Sequence, residues 1–156
     1  MNQNFKLFLT TLLSLISGVF LLLYLDEGTL FLATLLVAVV SIKTINTKID
    51  ADDSFDTSTL SVNSFVGLWF TLSIAPAFGV NMEDILILSN GFLIQSILSF
   101  TLFIIFYKSD ISIIGKIKTK VKGGVGIIVS ALIAGAAAGI STSALWQVYL
   151  NISQVL

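Results

Sequence analysis

Four lysines recur at every second position, Lys116, Lys118, Lys120 and Lys122, and three glycines, Gly123, Gly124 and Gly126, follow at once. Ammonium groups attract phosphate, and backbone N–H groups at a glycine-rich helix start can point at it. The chemistry on offer is capture of an anionic head group, with Lys120, Lys122, Gly123 and Gly124 as the candidate phosphate-binding residues. A second group is acidic: Asp50, Asp52, Asp53 and Asp56. Mg²⁺ and Ca²⁺ prefer carboxylate oxygen, so these four are the candidate metal ligands. The stretch lacks the glycine and terminal Glu of a calcium loop, and a solvated polar loop is its default reading. The chain has no His, Cys or Arg. Thiol chemistry, histidine metal ligands and Ser/His or Cys/His catalysis are therefore excluded.

These residues must be positioned by a membrane bundle. The 156 residues are 56% hydrophobic and 11% charged, whereas soluble domains carry roughly a quarter charged residues. Five apolar stretches approach the ~20 residues that a spanning helix needs: 6–25, 29–45, 62–80, 85–107 and 123–150. The glycine start of the last one is expected to be partly loop. The first ends in Tyr24-Leu25-Asp26-Glu27 rather than small residues, which reads as a retained helix rather than a cleaved signal. The fold class is thus all-α, a single polytopic membrane helix bundle of about five transmembrane helices.

The basic residues set its orientation. All eight are lysine, and every one falls before helix one, between helices two and three, or between helices four and five. The opposite loops hold Asp26, Glu27, Glu83 and Asp84. The positive-inside rule then places the N-terminus in the cytoplasm. Tyr24, Tyr107, Trp146 and Tyr149 fall near helix ends, as an interfacial aromatic belt would, while Trp69 lies deeper and is expected to pack between helices. Nothing resembles the basic, aromatic-interleaved patch of a nucleic-acid binder.

Smaller signals fill in the helices. Thr57, Ser58 and Thr59 are candidate N-caps for helix three, and Pro76 is expected to kink or end it. Gln95, Ser96 and Ser99 are expected to face the bundle and bond across helices. In 109–121, Ile114, Ile117 and Val121 recur at helical spacing among lysines, which predicts an amphipathic helix on the membrane surface. Its lysines would attract anionic lipid, by about 1 kcal/mol each, or serve only to fix topology. Gly126, Ser130, Ala134 and Ala138 form one small-residue face of the last helix, and Ala131, Gly135 and Gly139 another. Such faces admit close approach by other helices of this chain or of a second copy.

With helices three to five laid out, residues 63–142 resemble the phosphatidylglycerophosphatase A family. The family pattern of helix three is roughly D-E-F-I-G-M-W-I-T-L-x-x-L-P. The stretch NSFVGLWFTLSIAP matches it at Phe65, Gly67, Trp69, Thr71, Leu72 and Pro76. Helix four of the family reads roughly G-F-x-x-F-R-I-L-D-x-x-K-P, and GFLIQSILSFTLF matches at Gly91, Phe92, Ile97 and Leu98. The last helix opens H-G-G-x-G-I-M-x-D-D-x-x-A-G. There KGGVGIIVSALIAG matches at Gly123, Gly124, Gly126, Ile127, Ala134 and Gly135. The resemblance implies a multi-pass protein of the bacterial cytoplasmic (inner) membrane and Mg²⁺-dependent removal of a phosphate from phosphatidylglycerophosphate.

The departures fall on the chemistry. At the family's functional positions stand Asn63 and Ser64 for Asp-Glu, Ser96 and Ser99 for the Arg and Asp, Leu102-Phe103 for Lys-Pro, Ser130 and Ala131 for Asp-Asp, and Lys122 for His. Mg²⁺ sites use carboxylates with phosphate and water, and phosphoryl transfer depends on charge neutralisation. The expected function is a catalytically degenerate relative, without cofactor, that binds anionic phospholipid or a membrane partner. One alternative is an active Mg²⁺-dependent lipid phosphatase drawing ligands from Asp50, Asp52, Asp53 and Asp56. Another is a structural or transport component with no lipid role. Helix-mediated homo-oligomers fit any of the three.

Overall fold

The computed structural model describes residues 3–51, 61–75, 90–109 and 113–153. They form six helices: α1 Gln3–Leu22, α2 Glu27–Ala51, α3 Val62–Ile74, α4 Asn90–Lys108, α5 Ile113–Lys120 and α6 Gly123–Ser153. No strand occurs among the described residues. By length and composition α1, α2 and α6 can each cross a membrane, while the described parts of α3 and α4 are shorter apolar helices. Pro76, Glu83 and Asp84, with the rest of the expected spans three and four, lie outside the described residues.

α3 is the hub, and its packing partners give the helix directions. Thr10 of α1 stands against Ser64, and Trp69 Nε1–H donates to Ser14 O and Ser17 Oγ, each at 3.1 Å. α1 and α3 therefore run parallel, with Trp69 between them as expected. α3 and α6 also run parallel. Gly67 faces Ala131, Thr71 Oγ1 donates to Gly135 O at 3.2 Å, and Gly139 lies against Ile74. α4 is antiparallel to both: Tyr107 meets Asn63 and Ser99 meets Thr142. The end of α2 meets the start of α6 through Asn46 and Gly124. Lys6, Lys43, Lys48, Lys108, Lys116, Lys120 and Lys122 consequently gather at one end of the bundle, and Asp26 and Glu27 lie at the other.

Both small-residue faces of α6 are consumed inside the chain. Ala131, Gly135 and Gly139 let its backbone meet that of α3. Ala134 and Ala138 are buried with Leu68, Phe103 and Ile114. Outward faces are apolar instead: Leu13, Ile16 and Phe20 on α1, Leu32, Leu36 and Val39 on α2. That inverted pattern suits a bundle whose solvent is hydrocarbon.

Several expectations change. The glycine start of the last helix is helical from Gly123, because Gly123 adopts φ 76° and turns the chain directly into α6. α2 runs six residues beyond its apolar stretch, to Ala51, where Lys48 and Ala51 are good helix formers and Asn46 is tied to the start of α6. Ser61 occupies the N-cap of α3 without a side-chain bond, and Thr57, Ser58 and Thr59 lie outside the described residues. Tyr107 is no belt residue. It shares an inward face with Phe103, on which it stacks, and its hydroxyl accepts from Asn63. Tyr24 and Tyr149 are exposed, as a belt requires.

Candidate functional site

The lysine end is built on α1, α2, α4, α5 and the start of α6. α5 is amphipathic as expected: Ile114 is buried and Ile117 half-buried, whereas Lys116 and Lys120 are exposed. Val121, expected on the apolar face, is 39% exposed, because α5 ends at Lys120 and the chain turns there into α6. Lys43, Lys48, Lys108 and Lys122 are exposed as well. Packing Ile114 under the bundle thus holds Lys116 and Lys120 at its surface.

The glycine pair has a specific neighbour. Gly124 N–H donates to Asn46 Oδ1 at 2.7 Å, so a side chain of α2 caps α6. A helix N-terminus has unsatisfied donors, and here one of them is already engaged. An anion at this point would compete with Asn46, leaving Lys120 and Lys122 as the groups that face outward. Sequence reading missed Asn46, which lies far from Gly124 along the chain and has no local signature.

The positions that the resemblance matches to the family's functional residues do not all converge: Phe103 and Ala131 meet at Gly67, whereas Ser99 lies at the level of Thr142. Asn63 Nδ2 donates to Tyr107 Oη, and Asn63 Oδ1 accepts from the Ser64 amide at 2.9 Å. Ser64 Oγ lies 3.4 Å from Thr10 Oγ1. Ser130 Oγ turns back to Ile127 O at 2.8 Å, and Ala131 is sealed against α3. Ser99 Oγ donates to Thr142 Oγ1 at 3.3 Å. Thr142 lies twelve residues, about 18 Å of helix, beyond Ser130. Ser96 is buried beside Ser99. Between the two levels the ring of Phe103, fully buried, lies against Gly67.

The arrangement has a plain chemical content. Every buried polar side chain among the described residues is Ser, Thr, Asn or Gln. Neutral groups of this kind hydrogen-bond helices together and supply neither a general base nor strong divalent-cation ligands. No three His, Cys, Asp or Glu come together among the described residues. Asp50 is exposed in the last turn of α2, and Asp52, Asp53 and Asp56 lie outside the described residues.

Comparison with protein-family models, curated proteins and solved structures found no match. The resemblance across 63–142 therefore stands on the matched residues themselves.

Proposed function

We propose that this is a five-span protein of a bacterial cytoplasmic membrane, N-terminus inside, whose lysine end binds anionic phospholipid head groups. Its scaffold is that of the phosphatidylglycerophosphatase A family and its phosphatase chemistry is lost. The observation that carries the reading is the collection of lysines from α1, α2, α4, α5 and the start of α6 at one end of the bundle. An exposed lysine near an anionic surface contributes about 1 kcal/mol, and several together select charged over zwitterionic lipid. Loss of catalysis is supported by the neutral residues at the family's charged positions and by their separation along α6.

The test uses purified protein in nanodiscs of mixed phosphatidylglycerol and phosphatidylcholine. Native mass spectrometry should find phosphatidylglycerol enriched among retained lipids. Replacing Lys116, Lys118, Lys120 and Lys122 by Gln should cut that enrichment about tenfold or more. Unchanged enrichment would support the structural or transport reading instead. Incubation with phosphatidylglycerophosphate and Mg²⁺ should release no phosphate. Release that vanishes when Asp50, Asp52, Asp53 and Asp56 become Ala would restore the active phosphatase.

A further inference from the structure

The inner stripe of α4 consists of Phe92, Gln95, Ser96, Ser99 and Phe103, all buried, so three polar residues lie between two phenylalanines. Several buried hydroxyls bond back to a carbonyl one turn earlier, as Thr11, Thr34 and Thr71 do. Ser96 Oγ does not. It and Gln95 Nε2 have no hydrogen-bond partner, although the two residues are only 6% and 5% exposed. Ser99 reaches across to Thr142, and next to Thr142 the Ser143 hydroxyl lies 3.4 Å from Ala75 O. The inward face of α6 changes at this level from glycine and alanine to hydroxyl residues. Two buried donors on consecutive residues thus lie one turn along α4 from Ser99, whose hydroxyl meets Thr142.

We propose that this layer is a buried hydration site, in which water accepts from Gln95 Nε2 and Ser96 Oγ and bridges them to the Ser99–Thr142 pair. A buried amide donor without an acceptor is costly, most of all at membrane depth. Buried waters characteristically bridge two to four polar groups, and this layer supplies that many. The occupant is small and uncharged, because among the described residues the buried groups of this layer carry no charge to balance an ion and two phenylalanines bound the stripe. The site is independent of the lysine end, since it sits at the level of Thr142 rather than Gly124.

Solid-state NMR on the full chain in lipid bilayers tests this. With side-chain ¹⁵N-glutamine, magnetisation should pass from water to Gln95 Nε2 as quickly as to the exposed Gln147. The Gln95 signal is assigned by its disappearance in Gln95→Met. Absence of transfer to Gln95 beside clear transfer to Gln147 would overturn the proposal. Should Gln95→Met not fold, Gln95→Asn assigns the signal by its shift. Thermal unfolding is the second readout. Ser96→Ala should lower the unfolding temperature if the hydroxyl holds water, and a rise would show that it had no partner to lose.

Discussion

Adding one methyl group at Gly135 should separate the two helices on which the bundle is centred. A Cβ there would overlap the Gly67 carbonyl oxygen and stand 3.2 Å from the Gly67 carbonyl carbon and 3.3 Å from Thr71 Oγ1. Ordinary carbon–oxygen contacts are about 3.3–3.6 Å, so α3 and α6 would have to part by about 1 Å. The obstacle is helix backbone, which has no rotamer to change. Overpacking of this kind costs about 1–3 kcal/mol. The bond from Thr71 Oγ1 to Gly135 O would be stretched as well, a loss of about 0.6–1.7 kcal/mol. Against this, Ala regains about 1 kcal/mol of helix propensity, leaving a net loss of about 0.6–3.7 kcal/mol. Gly18→Ala is the graded comparison, because its Cβ would meet side-chain atoms, Leu72 Cδ1 at 2.6 Å and Trp69 Cδ1 at 2.9 Å. Side chains can give way, so the loss should be smaller. Val39→Ala, on the outer face of α2, should stay within about 0.5 kcal/mol. Reversible unfolding in mixed micelles, followed by far-ultraviolet circular dichroism, gives all three values. Equal stabilities for Gly135→Ala and Val39→Ala would refute the close crossing.

Four further outcomes follow from local features. Asn46→Ala removes the cap from α6 and should cost about 1 kcal/mol. Gly123→Ala should cost about 1–2 kcal/mol through its φ of 76°, both read from unfolding curves. Trp69→Phe loses the bonds to Ser14 O and Ser17 Oγ and should destabilise by about 1 kcal/mol. Ser17→Ala should then add almost nothing in the Trp69→Phe background. Asp26 caps α2 through Thr29, whose hydroxyl and then amide bonds hold its carboxyl below the ordinary value of 3.8. A depressed carboxyl stabilises the fold above its unfolded pKa, and the benefit is lost as pH falls through the lower folded value. The stability difference between the native chain and Asp26→Ala should therefore be constant near neutrality and shrink in acid. A difference independent of pH would show that the cap does not depend on the carboxylate's charge.

Helical, membrane-type architecture was legible from residue order because it depends on local quantities. Apolar runs such as 7–25 and 29–42 have the length and composition to bury a backbone in hydrocarbon without help from elsewhere. The placement of the lysines at one set of helix ends, with Asp26 and Glu27 at the other, was equally local, and so was the amphipathic spacing around Ile114. Helix limits were less legible. α2 continues past its apolar run to Ala51, where its junction with α6 at Asn46 adds what hydropathy does not supply.

Which groups meet was decided only in three dimensions. The resemblance implies that Asn63, Ser99 and Ser130 share one site, whereas Ser99 bonds to Thr142, Asn63 to Tyr107, and Ser130 to its own helix. Asn46 caps a helix that begins far along the chain, and Phe103 fills the space beside Gly67. Each pairing depends on the depth and angle at which helices cross. Those are fixed by where glycine lets backbones touch, and no single helix carries that information. Hydropathy and charge act residue by residue and can be read in order; a crossing belongs to two segments at once and exists only after they have packed.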